Sequence, residues 1–110
     1  MRKRTGLAGL VLLAAVACGH AQDEGDARSG QAFAQGVCAK CHAVLRSEIG
    51  SPNPAAPAFP VIAEVPGMTA LALTVVLQSA HNAMPDLVLE PQERRDVIAY
   101  ILSLRPASQR

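Results

Sequence analysis

Cys38-Ala39-Lys40-Cys41-His42 is the stretch on which the fold of this 110-residue chain turns. On a helical turn, residues three apart project to the same side. The thiols of Cys38 and Cys41 therefore face one object, and the next residue, His42, is carried beside it. Two sulfurs at that span can reach both vinyl groups of a single porphyrin, with an imidazole left where it can bind the iron. Cys-x-x-Cys-His is the spacing of covalent c-type haem attachment. Two other uses of the cysteines stay open at this level. A redox dithiol wants a preceding strand within a βαβ pattern, and none is legible before Cys38. A zinc site needs about four ligands. The further sulfur or imidazole donors for one are Cys18, His20 and His81.

Composition agrees with a chain wrapped around a cofactor. Half of the residues are apolar, yet there are one Tyr, two Phe and no Trp. A single small domain of this length buries a thin core and often needs a staple, a metal or a prosthetic group. One covalent haem per chain supplies an apolar disc and two cross-links, which accounts for the shortage of aromatic side chains. The formal charge of +1 depends on Arg2, Lys3 and Arg4. Beyond them, seven basic residues face nine acidic ones. No basic stripe exists, so a nucleic-acid partner is not expected.

Residues 1–21 read as an export signal. Arg2-Lys3-Arg4 is its positive region, Leu7 to Ala17 its apolar core, and Gly19-His20-Ala21 a small-residue cleavage site. The apolar run is well short of the ~20 residues that span a bilayer. Ala15-Val16-Ala17-Cys18 also loosely matches a lipoprotein signal, in which Cys18 would carry a lipid and tether the domain to a membrane. Either way the expected location is the bacterial periplasm, where haem of this type is attached. Residues 22–28 read as a polar linker, 29–106 as the domain and 107–110 as a tail. Asp26 or Ser29 is placed to cap the first helix.

That helix is expected from Gly30 to about Lys40, with Gly30, Phe33, Ala34 and Val37 on one stripe. Gly30 either admits a neighbouring helix or marks a frayed end. Ala43 to Gly67 reads as one long loop, because Pro52, Pro54, Pro57, Pro60 and Pro66 oppose regular structure. Pro57 and Phe59 are the residues to set against the porphyrin, with the Pro57 carbonyl accepting the second N–H of His42. The bland alternative is a proline-rich surface loop. Thr69 to about Ala80 reads as a helix apolar on nearly every face, expected to be buried rather than to form a partner surface. Met84 follows, a soft thioether suited to the iron and stiffened by Pro85. His81 is its rival. Glu90 to about Leu104 is the last helix, with Pro91 in its first turn and Val97, Tyr100, Ile101 and Leu104 on its buried stripe.

Taken together, Gly30, Cys38-Ala-Lys-Cys-His42, Ser51-Pro-Asn-Pro-Ala-Ala-Pro57-Ala-Phe59, Ala83-Met84-Pro85 and Ile98-Ala-Tyr100-Ile-Leu-Ser-Leu104 resemble a small bacterial monohaem class I cytochrome c. The resemblance covers residues 29 to about 105. It implies an all-α fold with crossed N- and C-terminal helices, and thioether links at Cys38 and Cys41. It implies His42 and Met84 as axial ligands to the haem iron, and Pro57 as the loop proline that accepts from the proximal histidine. Ala56 stands where the family usually has Gly before that proline, and the lysine ring of mitochondrial relatives is missing.

The function so implied is one-electron transfer, without a catalytic residue or substrate turnover of the chain's own. Redox proteins would dock transiently on a monomer. A membrane association would come only through Cys18 or through a membrane complex. The alternative is a fixed haem c subunit of a larger exported oxidoreductase, with the Leu71–Leu77 helix as its interface. A third possibility is an enzyme or gas sensor in which Met84 is loose.

Overall fold

The computed structural model describes residues 24–79, 81, 84 and 87–110. The export segment at 1–21 with Cys18, and Ala83 and Pro85 beside Met84, lie outside the described residues. Every regular element described is helical. In chain order these are α1 (Ala27–Gly36), a 3-10 turn (Cys38–Lys40), α2 (Phe59–Glu64), α3 (Ala70–Gln78), α4 (Pro91–Ser103) and a final 3-10 turn (Ala107–Gln109). The fold is all-α, as the resemblance implied, although the segment read as a tail holds that last turn.

Asp26 caps α1. Its carboxylate accepts from the backbone N–H groups of Arg28 at 2.8 Å and Ser29 at 3.4 Å, two of the orphan donors of a helix start. Its own N–H donates to the Asp96 carboxylate at 2.7 Å, so the cap also pins α1 to α4. The helix thus begins inside the stretch assigned to the linker. It also ends earlier than Lys40. Val37 leaves helical geometry (φ −120°, ψ −56°) after donating to the Phe33 carbonyl at 2.9 Å.

The N–H donors of Arg28 and Ser29 hold the Asp26 carboxyl below its ordinary value of 3.8. A carboxyl depressed in the folded state stabilises it above the unfolded value, and that contribution is lost as pH falls through the lower folded value. The stability excess of the wild type over Asp26→Ala should therefore be constant at neutral pH and shrink only below pH 3.8. Denaturant unfolding followed by circular dichroism across the acid range measures this.

Gly30 is a crossing point and not a frayed end. A Cβ added there would overlap the Asp96 carbonyl and come within 2.9 Å of the Tyr100 Cβ. Only a residue without a side chain lets the backbone of α1 rest on α4. The first turn of α4 is closed by the Glu93 carboxylate accepting from the Glu90 N–H at 2.9 Å, with Pro91 in a position that needs no N–H. The stripe expected on α4 is buried: Val97, Tyr100, Ile101 and Leu104, joined by Ile98. Ala34, Val44, Phe59, Ala63 and Leu73 complete the core.

One expectation fails here. The segment 43–67 is not an unbroken loop, because α2 occupies Phe59–Glu64. Pro60 sits in the first turn, where the ring clashes with nothing and the missing N–H has no partner to lose. A type II turn at Val65–Met68 follows. Gly67 takes its positive φ of 78°, and the Met68 N–H donates to the Val65 carbonyl at 3.0 Å. Arg105 then ties the end of α4 to this region, donating to the carbonyls of Ala63 and Met68. The start of α3 is as expected, with the Thr69 hydroxyl accepting from the Ala72 N–H at 3.1 Å. Against the polypeptide itself Leu73 is its buried side chain, while Leu71 is 73% and Val75 55% exposed. Among the described helices α3 packs only on α4, and one packed face can bury one stripe.

Candidate haem-binding site

The Cys-x-x-Cys pair stands on its own 3-10 turn. The Cys38 carbonyl accepts from the N–H groups of Cys41 at 3.1 Å and His42 at 2.9 Å. Side chains at i and i+3 eclipse on such a turn, so it aligns the two sulfurs more closely than an α-helix does. Both thiols are free and half-buried. Burial pushes the Cys38 thiol up to about 11. That is the opposite direction from the lowered thiol that activates a redox dithiol. Among the described residues no three His, Cys, Asp or Glu side chains cluster as a metal site needs, so zinc finds no cage there.

His42 is oriented by the loop that follows it. Its Nδ1 lies 2.7 Å from the Pro57 carbonyl. A carbonyl can only accept, so Nδ1 is the donor, and in the neutral ring Nε2 keeps its lone pair. That is the tautomer of a metal-ligating histidine fixed from behind. The Phe59 ring lies 5.5 Å from the imidazole and 6.4 Å from Tyr100, centroid to centroid. Phe59 is thus a core residue backing His42, whereas Pro57 is exposed and contributes its carbonyl.

The backbone leaving His42 is held on every side. Ala43 and Val44 are 0% and 1% exposed, so their peptide groups must find protein partners. The Ala43 N–H donates to the Ser51 hydroxyl at 2.9 Å, and its carbonyl accepts from the Phe59 N–H at 2.9 Å. The Val44 and Leu45 N–H groups both donate to the Glu48 carboxylate, at 2.6 and 2.7 Å. The Val44 carbonyl accepts from the Tyr100 hydroxyl at 2.7 Å. Burial, and secondarily the Glu48 charge, push that hydroxyl upward, so it remains a donor. The Asn53 N–H donates to the Cys41 carbonyl at 3.1 Å, and a turn from Asn53 to Ala56 delivers Pro57. Ala56, where Gly was expected, closes this turn with its N–H on the Asn53 carbonyl at 2.9 Å. Sequence patterns did not reveal Glu48, Ser51, Asn53 or the hydroxyl role of Tyr100. Only the rule that buried peptide groups are paired hinted that such partners exist.

Cys38, Cys41, His42, Pro57 and Phe59 therefore form one cluster. Met84 is not part of it. It is half-buried, donates its N–H to the His81 carbonyl at 3.2 Å, and lines a cavity of about 540 Å³ between the end of α3 and the start of α4. Val76, Leu77, His81, Leu89 and Arg94 share that wall. The donor set suits a covalent haem: two free thiols on one turn, an imidazole with its Nε2 lone pair available, and a soft thioether.

Residues 25–101 match the family model described as cytochrome c oxidase, cbb3-type, subunit III. The chain belongs to the c-type cytochromes. It is also 34% identical over 102 residues to cytochrome c-552 of Bradyrhizobium diazoefficiens, covering 91% of this chain and 96% of that relative. No solved structure matches the cytochrome significantly. It is a small monohaem electron-transfer protein with covalently bound haem c, in the all-α class I fold. Among the described residues no helix is long and apolar enough to cross a membrane.

Proposed function

We propose that this cytochrome is an exported one-electron carrier whose haem iron is held by His42 Nε2 and Met84 Sδ, with no substrate turnover of its own. The hydrogen bond from His42 Nδ1 to the Pro57 carbonyl carries the assignment of His42. When bound, the haem supplies the Fe(III)/Fe(II) couple; the chain supplies position and environment. Cys38 and Cys41 hold the porphyrin covalently. Pro57 and Phe59 fix the imidazole from behind and from the side. Glu48, Ser51 and Tyr100 keep the backbone after His42 from moving. A rigid ligand on one side limits reorganisation, which favours electron transfer over bond chemistry.

Met84 is assigned as the opposite ligand on chemistry. A thioether stabilises the reduced iron and raises the potential. Met84→Ala should change the visible spectrum and lower the midpoint potential by on the order of 0.1 V, within the ~0.8 V that axial ligands span. Potentiometry of the exported protein measures this. An unchanged spectrum and potential, with rapid carbon monoxide binding by the reduced wild type, would instead make the protein a sensor or enzyme with an open iron.

A second possibility is supported by one feature. Leu71, Val75 and Val76 on α3 are solvent-exposed, and the family description names a subunit of a larger oxidase. That suits a fixed haem subunit docked through α3. The length match to cytochrome c-552 suits the free carrier in the periplasm, released or tethered by Cys18. Sizing of the native protein separates them: a monomer that docks transiently, or co-elution with a larger oxidoreductase.

A further inference from the structure

We propose that His81 is a second ligand on the Met84 side, taking the iron when the thioether leaves it. This rests on the His/Met assignment above. Three observations carry it. His81 and Met84 line the same cavity, and the Met84 N–H donates to the His81 carbonyl at 3.2 Å. The His81 Nδ1 lies 2.9 Å from the Ser79 carbonyl. As at His42, the carbonyl must accept, so Nδ1 is the donor, and in the neutral ring Nε2 then keeps its lone pair. His81 is thus already in the tautomer that binds iron, with its ring anchored through the non-ligating nitrogen. Finally, competing nitrogen donors are few. The sequence has three histidines, of which His20 lies in the export segment and His42 is on the other side of the haem. Its lysines are Lys3 and Lys40, one in the export segment and one inside the Cys-x-x-Cys motif.

The exchange balances without an added reactant. From the neutral imidazole, the Fe–Sδ bond to Met84 breaks, an Fe–Nε2 bond to His81 forms, and no electron moves; from the imidazolium, one proton leaves Nε2 to solvent. The imidazole-ligated state is expected to have the lower potential, since it lacks the thioether that raises it.

The test compares four periplasmically expressed holoproteins: wild type, H81A, M84A and H81A/M84A, with M84L as a volume-conserving counterpart of M84A. Absorption and electron paramagnetic resonance report the ligands, and carbon monoxide titration of the reduced forms reports how open the iron is. H81A should keep the wild-type spectrum. M84A should be low-spin with a bis-imidazole signature. The double variant should turn high-spin and bind carbon monoxide at least 10-fold more tightly than M84A. A high-spin M84A and M84L indistinguishable from the double variant would overturn the role of His81 while leaving Met84 as the ligand. A wild-type spectrum in M84A would remove Met84 itself and with it the exchange.

Discussion

Cys38→Ala/Cys41→Ala should leave a polypeptide without porphyrin after denaturation in acidified organic solvent, whereas either single variant should retain one thioether and stay coloured. The two sulfurs stand on one 3-10 turn, eclipsed, with the turn closed by two hydrogen bonds to the Cys38 carbonyl. Each bond forms independently, so the loss is stepwise in attachment but all-or-none in retention. Folding should follow the same pattern. The buried core is small, the largest fully buried side chains among the described residues being Val44 and Val97. A ligand that binds only the folded state stabilises it in proportion to its affinity, and a covalent one cannot be diluted away. The double variant should therefore show weak, non-cooperative unfolding. Extraction followed by absorption of both phases, together with thermal circular dichroism, measures both effects.

Gly30→Ala should destabilise the protein by about 2 kcal/mol net, although helix propensity alone gives the opposite sign. In an exposed helix the change gains ~1 kcal/mol. Here the new methyl overlaps the Asp96 carbonyl and reaches the Tyr100 Cβ at 2.9 Å, and backbone cannot rotate away as a side chain can. Overpacking of this kind costs about 1–3 kcal/mol, and an obstacle of backbone places it at the top of that range. Gly25 meets α4 in the same way, against the Arg95 carbonyl. The two glycines therefore lay the start of α1 directly over one turn of α4. Moving α1 outward would also stretch the 2.7 Å bond from the Asp26 N–H to Asp96. For a domain of this size, a net loss of about 2 kcal/mol lowers the melting temperature by on the order of 8–16 °C. Thermal unfolding of the holoprotein measures it; an unchanged or raised melting temperature would mean that α1 and α4 do not meet at Gly30.

Much of this was legible in the residues because the signals were local. Cys38, Cys41 and His42 declare themselves by spacing, and α4 declares itself by Pro91 and a 3.6-residue stripe. The bond from His42 to the Pro57 carbonyl was expected on chemistry and is present at 2.7 Å. The misses have physical reasons. Pro60 was counted against helix because a proline breaks an interior turn, but in a first turn it breaks nothing. The early end of α1 at Gly36 left no mark, since Val37 and Cys38 continue the apolar pattern through a change of backbone. Glu48 and Ser51 act on Val44 and Ala43 through side-chain to backbone bonds within a loop, and such pairs have no period to detect.

Every role assigned above depends on one haem bonded covalently to Cys38 and Cys41. Intact-mass spectrometry of the exported protein, after denaturation and acid–organic extraction, tests it most directly. A polypeptide heavier by one haem, still coloured after extraction, is expected. A polypeptide of unaltered mass, with all porphyrin in the organic phase or none at all, would contradict it.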